Sequence, residues 1–589
     1  MNRIVKNAVL IIAPALFCGL SGAMIAFVPH ISARINHGSW EYYHDQDEIL
    51  YRLIAKPALA GSWRMTDVFV SADRQFPTTY SWMQFVPTSH LATRLGFDAI
   101  NLGQFWRIFG GFGLGFSLYC VFRSFWLTSK SPALFAVLCA LLALSDAGFV
   151  GGRIFYENIR MFVMMQSGVA TKPEATAFLA YRVITPLWNL PVAILATSLL
   201  SPALFKKDWR FALPAVAMIG LTVSLYFFQW TAIVVGAGPI LLGFIVWDTY
   251  QKNELKKASM IALFVLVMGF AVGLPQVISN ASTFGEFSMK PILDRVGRGQ
   301  RIPSGDPILT INLVNRWVWG KIVLAILLSC YWRNRGLVIF TSVGFAGYLL
   351  ANSAILTGIE FENWHWLYVF NPYLAIVIIS GLMGWLMEKN RAGIAMTIAG
   401  CFVMSSLYLR YNEADIASEA IKVRSWFEGV RPLRNAILAT NDDERVCLAG
   451  DPAGHILALS MPGGRLLFHM PHTAHTSLIT LEEVHERYVL NEWLKGLTRH
   501  SLENRPASEV FKVQISAQTR PEWDREVTRK AQLEVFDRLE SDEGEIMIKK
   551  YQPDWLVIKK MQPEYIPTRG GKWKKAAESE TYCLWKREL

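Results

Sequence analysis

The chain has 589 residues, of which 52% are hydrophobic and only 18% charged, with a formal net charge of +11. That balance suits a polytopic membrane protein carrying a sizeable soluble part. It argues against nucleic-acid binding, because much of the basic excess sits in short links between apolar spans, the positive-inside pattern rather than a binding stripe.

The first apolar span, Ala8–Pro29, is long enough to cross a bilayer, and Arg3 and Lys6 before it favour a cytoplasmic N-terminus. It exceeds a usual signal core and more spans follow, so it reads as a retained helix. A large loop over residues 30–100 comes next and carries His44-Asp45-Gln46-Asp47-Glu48 near its start. Hydropathy and length give about eleven spans in all. After the first they are Asn101–Phe122, Pro132–Val150, Val183–Phe205, Phe211–Phe228, Thr231–Trp247, Ala258–Ile278, Trp317–Trp332, Gly336–Leu356, Leu367–Met387 and Ala392–Arg410. The predicted cytoplasmic links are all basic: Arg123 and Lys130; Lys206, Lys207 and Arg210; Lys252, Lys256 and Lys257; Arg333 and Arg335; Lys389 and Arg391. The stretch Phe211–Trp247 fits one long helix or two short ones. A single crossing would move Lys252–Lys257 outside, so two crossings are expected.

Three further outer loops alternate with these links. Gly151–Arg182 carries Arg153, Glu157, Arg160 and Arg182; Ser279–Arg316 carries Lys290, Arg295, Arg298 and Arg301; Thr357–Trp366 carries Glu360, Glu362 and His365. After Arg410 the composition changes, and strand-like pieces (Val446–Ala449, Leu466–Phe468, Trp555–Ile558, Tyr582–Trp585) alternate with helical ones (Ala414–Val430, Leu481–Leu497). The expected fold is a polytopic α-helical membrane domain, 1–410, followed by one soluble α/β domain, 411–589. With an odd number of spans and an inner N-terminus, that domain lies outside, in the compartment of the acidic loop.

Asp45, Asp47 and Glu48 lie within four residues of one another. A carboxylate within reach of a hydroxyl can act as a general base, and aspartates can hold a divalent cation such as Mg or Mn through oxygen ligands. They also suit the first turn of a helix, since Ile49, Leu50, Leu53 and Ile54 follow with helical spacing. The outer-loop arginines suit phosphate recognition, or anchoring to lipid headgroups. Glu360, Glu362 and His365 sit among Trp364, Trp366 and Tyr368, which form either an aromatic belt or a polar cluster with stacking surfaces. His469, His472 and His475 have HxxHxxH spacing, but Pro471 interrupts a common helical face, so an ordinary polar loop is expected rather than a metal site. Neither a GxSxG nor a Walker A sequence occurs, which weakens serine-hydrolase and P-loop readings. Of the seven cysteines, Cys18, Cys120, Cys139, Cys330 and Cys401 belong to apolar spans, whereas Cys447 and Cys583 fall in strand-like segments and could pair if close.

This pattern resembles the GT-C superfamily of integral membrane glycosyltransferases. A first cytoplasm-to-outside span leads into a large outer loop with an acidic motif near its start, here Asp45-Gln46-Asp47-Glu48; many spans follow, and a soluble extracytoplasmic domain ends the chain. The resemblance implies a polyprenyl-phosphate-linked sugar donor, inversion at the anomeric carbon, and an acidic first-loop residue as base for the acceptor. Asp47 is the first choice for that base, with Asp45 or Glu48 as alternates. Arg153, Arg160, Arg298, Arg301, Glu360, Glu362 and His365 are the candidate substrate-binding residues. The acceptor would be a cell-envelope glycan, lipid or protein, and the membrane a bacterial inner membrane. The chain departs from oligosaccharyltransferases in lacking a WWD-type motif in its C-terminal domain. A transporter or flippase, or a non-catalytic scaffold of envelope polysaccharide assembly, is the competing reading.

Overall fold

A computed structural model of the chain describes residues 3–44, 47–65, 80–125, 131–145, 167, 181–184, 186–286, 315–353, 363–440, 446–461, 464–469, 479–505, 525–560 and 566–588. In chain order its first helices are α1 (Arg3–His37), α2 (Asp47–Leu59), α3 (Trp82–Arg94), α4 (Leu102–Phe125), α5 (Pro132–Leu144), α6 (Asn189–Leu199) and α7 (Pro202–Lys207). They are followed by α8 (Ala212–Leu225), α9 (Phe227–Tyr250), α10 (Leu255–Glu286), α11 (Arg316–Trp332), α12 (Arg335–Ala351), α13 (Asn363–Glu388), α14 (Ala392–Ile416) and α15 (Ser418–Leu438). The remainder is β1 (Val446–Gly450), α16 (Gly454–Ser460), β2 (Gly464–Leu466), α17 (Leu481–Leu494), α18 (Arg499–Glu503), α19 (Arg525–Leu539), α20 (Glu543–Tyr551), β3 (Trp555–Lys559), β4 (Lys572–Glu578) and β5 (Tyr582–Glu588). Two compact units result. One comprises Met1–His44, Gly103–Ala281 and Gly305–Ala420; the other comprises Asp45–Leu102, Ser282–Ser304 and Ile421–Leu589.

The first unit is all helix. Among the described residues six helices are long and apolar enough to cross a membrane (α1, α4, α9, α10, α13 and α14), and α5, α6, α8 and α12 are shorter apolar helices. Among the described residues each span expected from hydropathy falls on helix, Val183–Phe205 and Phe211–Phe228 on two each. The stretch Phe211–Trp247 is two helices, because Tyr226 between α8 and α9 is extended, with φ −151° and ψ 116°. Small residues let the helices approach, since lipid gives no hydrophobic drive for helix association and backbone contact substitutes for it. A Cβ on Gly115 of α4 would lie 2.0 Å from the Cys18 carbonyl oxygen of α1, and one on Gly22 would lie 2.1 Å from that of Gly111. Gly236 of α9 meets Val343 of α12 in the same way, at 2.6 Å from its Cα.

Polar ties gather the basic links at one end of this unit. Arg335 at the start of α12 pairs with the fully buried Asp248 at the end of α9, and Ser259 of α10 donates to the same carboxylate at 3.1 Å. Lys206 meets Glu254 at 3.3 Å, and Asn334 donates to the Phe125 carbonyl at 2.6 Å. Lys206 and Glu254 flank the Phe211–Trp247 stretch, so the two ends of that stretch come together.

The second unit is built on a five-stranded sheet of order β2-β1-β3-β5-β4. β2, β1 and β3 run parallel, while β5 and β4 join antiparallel. β3 reads Trp-Leu-Val-Ile-Lys, and its first four side chains are buried, as a central strand covered on both faces requires. β4 reads Lys-Trp-Lys-Lys-Ala-Ala-Glu and alternates exposed with half-buried positions, a charged edge that discourages further pairing. Helices α17, α19 and α20 close a core around Leu490, Leu494, Phe536, Ile548 and Leu556. Cys447 and Cys583 do not pair: Cys583 sits opposite Ile558 of β3, whereas Cys447 accepts from Asp554, just before that strand, and β3 separates β1 from β5. Two strand spacings put them beyond the roughly 7 Å Cα separation that a disulfide tolerates.

Candidate functional site

The acidic run opens α2. Asp47 and Glu48 occupy its first turn, where the unpaired backbone amides favour carboxylates. The apolar residues that follow are the buried face: Ile49 and Leu50 are 0% exposed, Leu53 1% and Ile54 3%. The two carboxylates differ sharply in surroundings. Glu48 is 1% exposed and pairs with Arg52 one turn along, itself 1% exposed and donating also to the Ile100 carbonyl. Asp47, about 100° round the helix from Glu48, is half-buried. Asp45 lies outside the described residues.

α2 is fastened to the sheet part of its own unit. Lys56 donates to the carbonyls of Ala458 in α16 (2.5 Å) and Gly464 in β2 (3.1 Å). Burial of its ammonium pushes its pKa down to about 7. The contact places the first loop and the C-terminal domain in one compartment. Beside α2, Trp63 stacks on His90 of α3 at 4.1 Å between ring centroids, and on Trp82 at 6.2 Å.

The helical unit carries a buried polar network at the end opposite the basic links. Glu413 of α14 accepts from Arg410 and from His44 Nδ1 (2.9 Å). Arg410 also donates to the Ile25 and Ala26 carbonyls of α1, at 3.3 and 3.1 Å, and lies over the Tyr181 ring. Arg107 of α4 donates to His30 Nε2 at 3.1 Å and lies over the Tyr42 ring. Arg107 and Arg410 are 0% exposed. This network holds the chain from α1 up to His44, the residue before the acidic run. The sequence reading missed it: it ended the last span at Arg410 and gave Glu413 to the soluble part. The available signal was an Arg and a Glu three residues apart at the end of an apolar helix.

His365 sits in the first turns of α13. Its Nδ1 bonds the Tyr226 hydroxyl, and its ring stacks on Phe228 at 4.9 Å and 16°. Arg182 donates to the Tyr368 hydroxyl at 3.4 Å, bringing one arginine of the second outer loop to the same helix. The other expected substrate-binding residues, Arg153, Arg160, Arg298, Arg301, Glu360 and Glu362, lie outside the described residues. So do His472 and His475; His469 is 1% exposed and packs against His455 at 4.1 Å. Among the described residues no three His, Cys, Asp or Glu side chains gather as a metal site requires, and the pairing of Glu48 with Arg52 withdraws that carboxylate from a cation.

No family model matches this chain, and no curated protein sequence does. Among solved structures it is similar to ArnT from Cupriavidus metallidurans bound to undecaprenyl phosphate, at 11% identity and a TM-score of 0.46, over 98% of each chain. It is also similar to the Archaeoglobus fulgidus oligosaccharyltransferase in complex with zinc and sulfate, at 10% identity and a TM-score of 0.44, over 93% of this chain and 68% of the other. The same archaeal enzyme with an inhibitory peptide and a dolichol phosphate gives 11% identity and a TM-score of 0.43, over 93% and 69%.

Proposed function

We propose that the chain is a membrane glycosyltransferase that moves a sugar from a polyprenyl-phosphate-linked donor to a hydroxyl of an extracytoplasmic glycan, lipid or protein, with inversion. Asp47 is the base. It takes the acceptor proton as the acceptor oxygen bonds to the anomeric carbon from the face opposite the phosphate. The anomeric carbon–oxygen bond to phosphate breaks, and the polyprenyl phosphate leaves with the electron pair. Arg153, Arg160, Arg298 and Arg301 are assigned to stabilising that phosphate, the role for which guanidinium geometry is suited. Glu360, Glu362 and His365 are assigned to the sugar side. The N-terminus is cytoplasmic, and the C-terminal domain lies outside a bacterial inner membrane.

The observation that carries this reading is the division of labour in the first turn of α2. Glu48 is buried and spent on Arg52, which leaves Asp47 as the half-buried carboxylate of that turn, on a helix clamped from beneath by Lys56. A base must be held in place yet reachable, and the half-buried position of Asp47 on a tied helix supports that role. The test is sugar transfer by purified protein in lipid nanodiscs, from short-chain polyprenyl-phosphate sugars to an envelope extract. Loss of transfer in Asp47→Asn with an unchanged unfolding midpoint supports the reading. Lipid or solute transport that survives the substitution, with no transfer in either protein, sinks it.

A further inference from the structure

Among the polar side chains of the helical unit that are buried without a hydrogen-bond partner among the described residues, Gln229 and Trp366 lie near one another. Gln229 of α9 is 0% exposed, and neither its Oε1 nor its Nε2 is bonded; Trp366 of α13 is 2% exposed, and its Nε1 is unbonded. Native proteins rarely leave such groups unsatisfied, so each calls for a ligand or an ordered water. The two lie at one depth. Gly236 of α9 packs against Val343 of α12, and a Cβ on Gly347, one turn along α12, would lie 3.4 Å from Phe370 of α13. Following α9 back from Gly236 and α13 back from Phe370 brings Gln229 and Trp366 to the same level, just inside the extended Tyr226. Phe228, next to Gln229, packs edge-on against Trp366 at 5.0 Å while stacking on His365.

From this we infer that Gln229 and Trp366 form a subsite for the sugar of the donor. The chemistry is that of a neutral polyhydroxylated ring. An amide offers both donor and acceptor, the indole a donor, and the aromatic faces a surface for the apolar side of the ring. A phosphate would call for cations rather than an amide and an indole. The inference rests on the glycosyltransferase reading for the identity of the carrier.

The experiment measures binding by purified protein in nanodiscs of farnesyl phosphate and of its glucosyl, N-acetylglucosaminyl and arabinosyl esters. Wild-type protein should bind at least one sugar ester tighter than farnesyl phosphate. Gln229→Leu should lose that preference about tenfold, as a site that hydrogen-bonds hydroxyls loses discrimination with its amide, while bare farnesyl phosphate binds unchanged. Trp366→Phe keeps a ring and removes the N–H, and should lose part of the preference. Leucine also relieves a buried unsatisfied amide, so Gln229→Leu should unfold no more easily than wild type. No sugar preference in wild type overturns the inference, as does a preference that both variants retain, the outcome if the amide merely holds water. Asp47→Asn separates the two proposals. Transfer lost in Asp47→Asn, with no Gln229-dependent preference in otherwise wild-type protein, overturns only the subsite. A Gln229-dependent preference in a protein that never transfers sugar overturns only the transferase.

Discussion

Three carboxylates within four residues looked interchangeable in the sequence, and the structure makes two of them unlike. Glu48 and Arg52 are each 1% exposed and paired, so neither can lose its partner cheaply. Glu48→Gln leaves the guanidinium buried without a counter-charge, which costs roughly 3–5 kcal/mol. The unfolding midpoint of purified protein should fall accordingly, with activity lost in proportion to folded protein. Asp47→Asn removes a charge from a half-buried helix start and should leave the midpoint within error while transfer falls about 10²–10⁴-fold, the usual worth of a general base. An unfolding defect in Asp47→Asn equal to that of Glu48→Gln would make the whole run structural. The sequence could supply the helix start, because Ile49, Leu50, Leu53 and Ile54 mark the buried face. It could not supply the assignment, because Arg52, the partner of Glu48, is itself held by the Ile100 carbonyl, far along the chain.

At the scale of elements, helix positions were legible wherever apolar length alone decides them, and contacts between elements were not. Tyr226 illustrates the first: charge parity favoured two spans over one, Phe211–Phe228 and Thr231–Trp247, and two helices form, with their break at Tyr226. Lys56 illustrates the second, since nothing local marks a lysine in the last turn of an amphipathic helix as the tie to a strand some four hundred positions later. Its pKa makes the tie measurable. The unfolded chain keeps the proton to near 10.5, whereas burial makes the folded protein release it near 7. Between those values the unfolded state binds more protons, so stability rises with pH, by about 1.4 kcal/mol per unit at most. Denaturant unfolding at pH 7, 8 and 9 should show that rise in wild type and its loss in Lys56→Met. A slope unchanged by the substitution would assign the titration elsewhere. The α1–α4 contact gives an independent test: Gly115→Val puts a Cβ where the Cys18 carbonyl already stands, at 2.0 Å. Forcing the helices apart should cost about 1–3 kcal/mol, read as earlier unfolding in a detergent titration, whereas Gly243→Val, at a position with open space around it, should not.

For the whole molecule, two sets of ties constrain how the chain threads the membrane. The pairs Arg335–Asp248, Lys206–Glu254 and Asn334 with Phe125 collect several basic links at one end of the helical unit. The Lys56 bonds put the first loop and the C-terminal domain in one compartment. On the proposed threading, positive charge is retained on the cytoplasmic side, which puts those links in the cytoplasm and Asp47 outside. Single cysteines test this at exposed positions, Arg64→Cys after α2, Lys572→Cys on the edge strand β4, and Lys252→Cys between α9 and α10, in a background lacking Cys330 and Cys401, which are exposed along spans. A membrane-impermeant maleimide added to intact spheroplasts should label Arg64→Cys and Lys572→Cys alike and reach Lys252→Cys only after the membrane is opened. Labelling of Lys252→Cys alone would invert the threading and put Asp47 on the cytoplasmic side, away from any extracytoplasmic acceptor. Opposite outcomes for Arg64→Cys and Lys572→Cys would instead break the unit that Lys56 joins. The two failures differ in pattern, so one labelling series separates an error in orientation from an error in the fold.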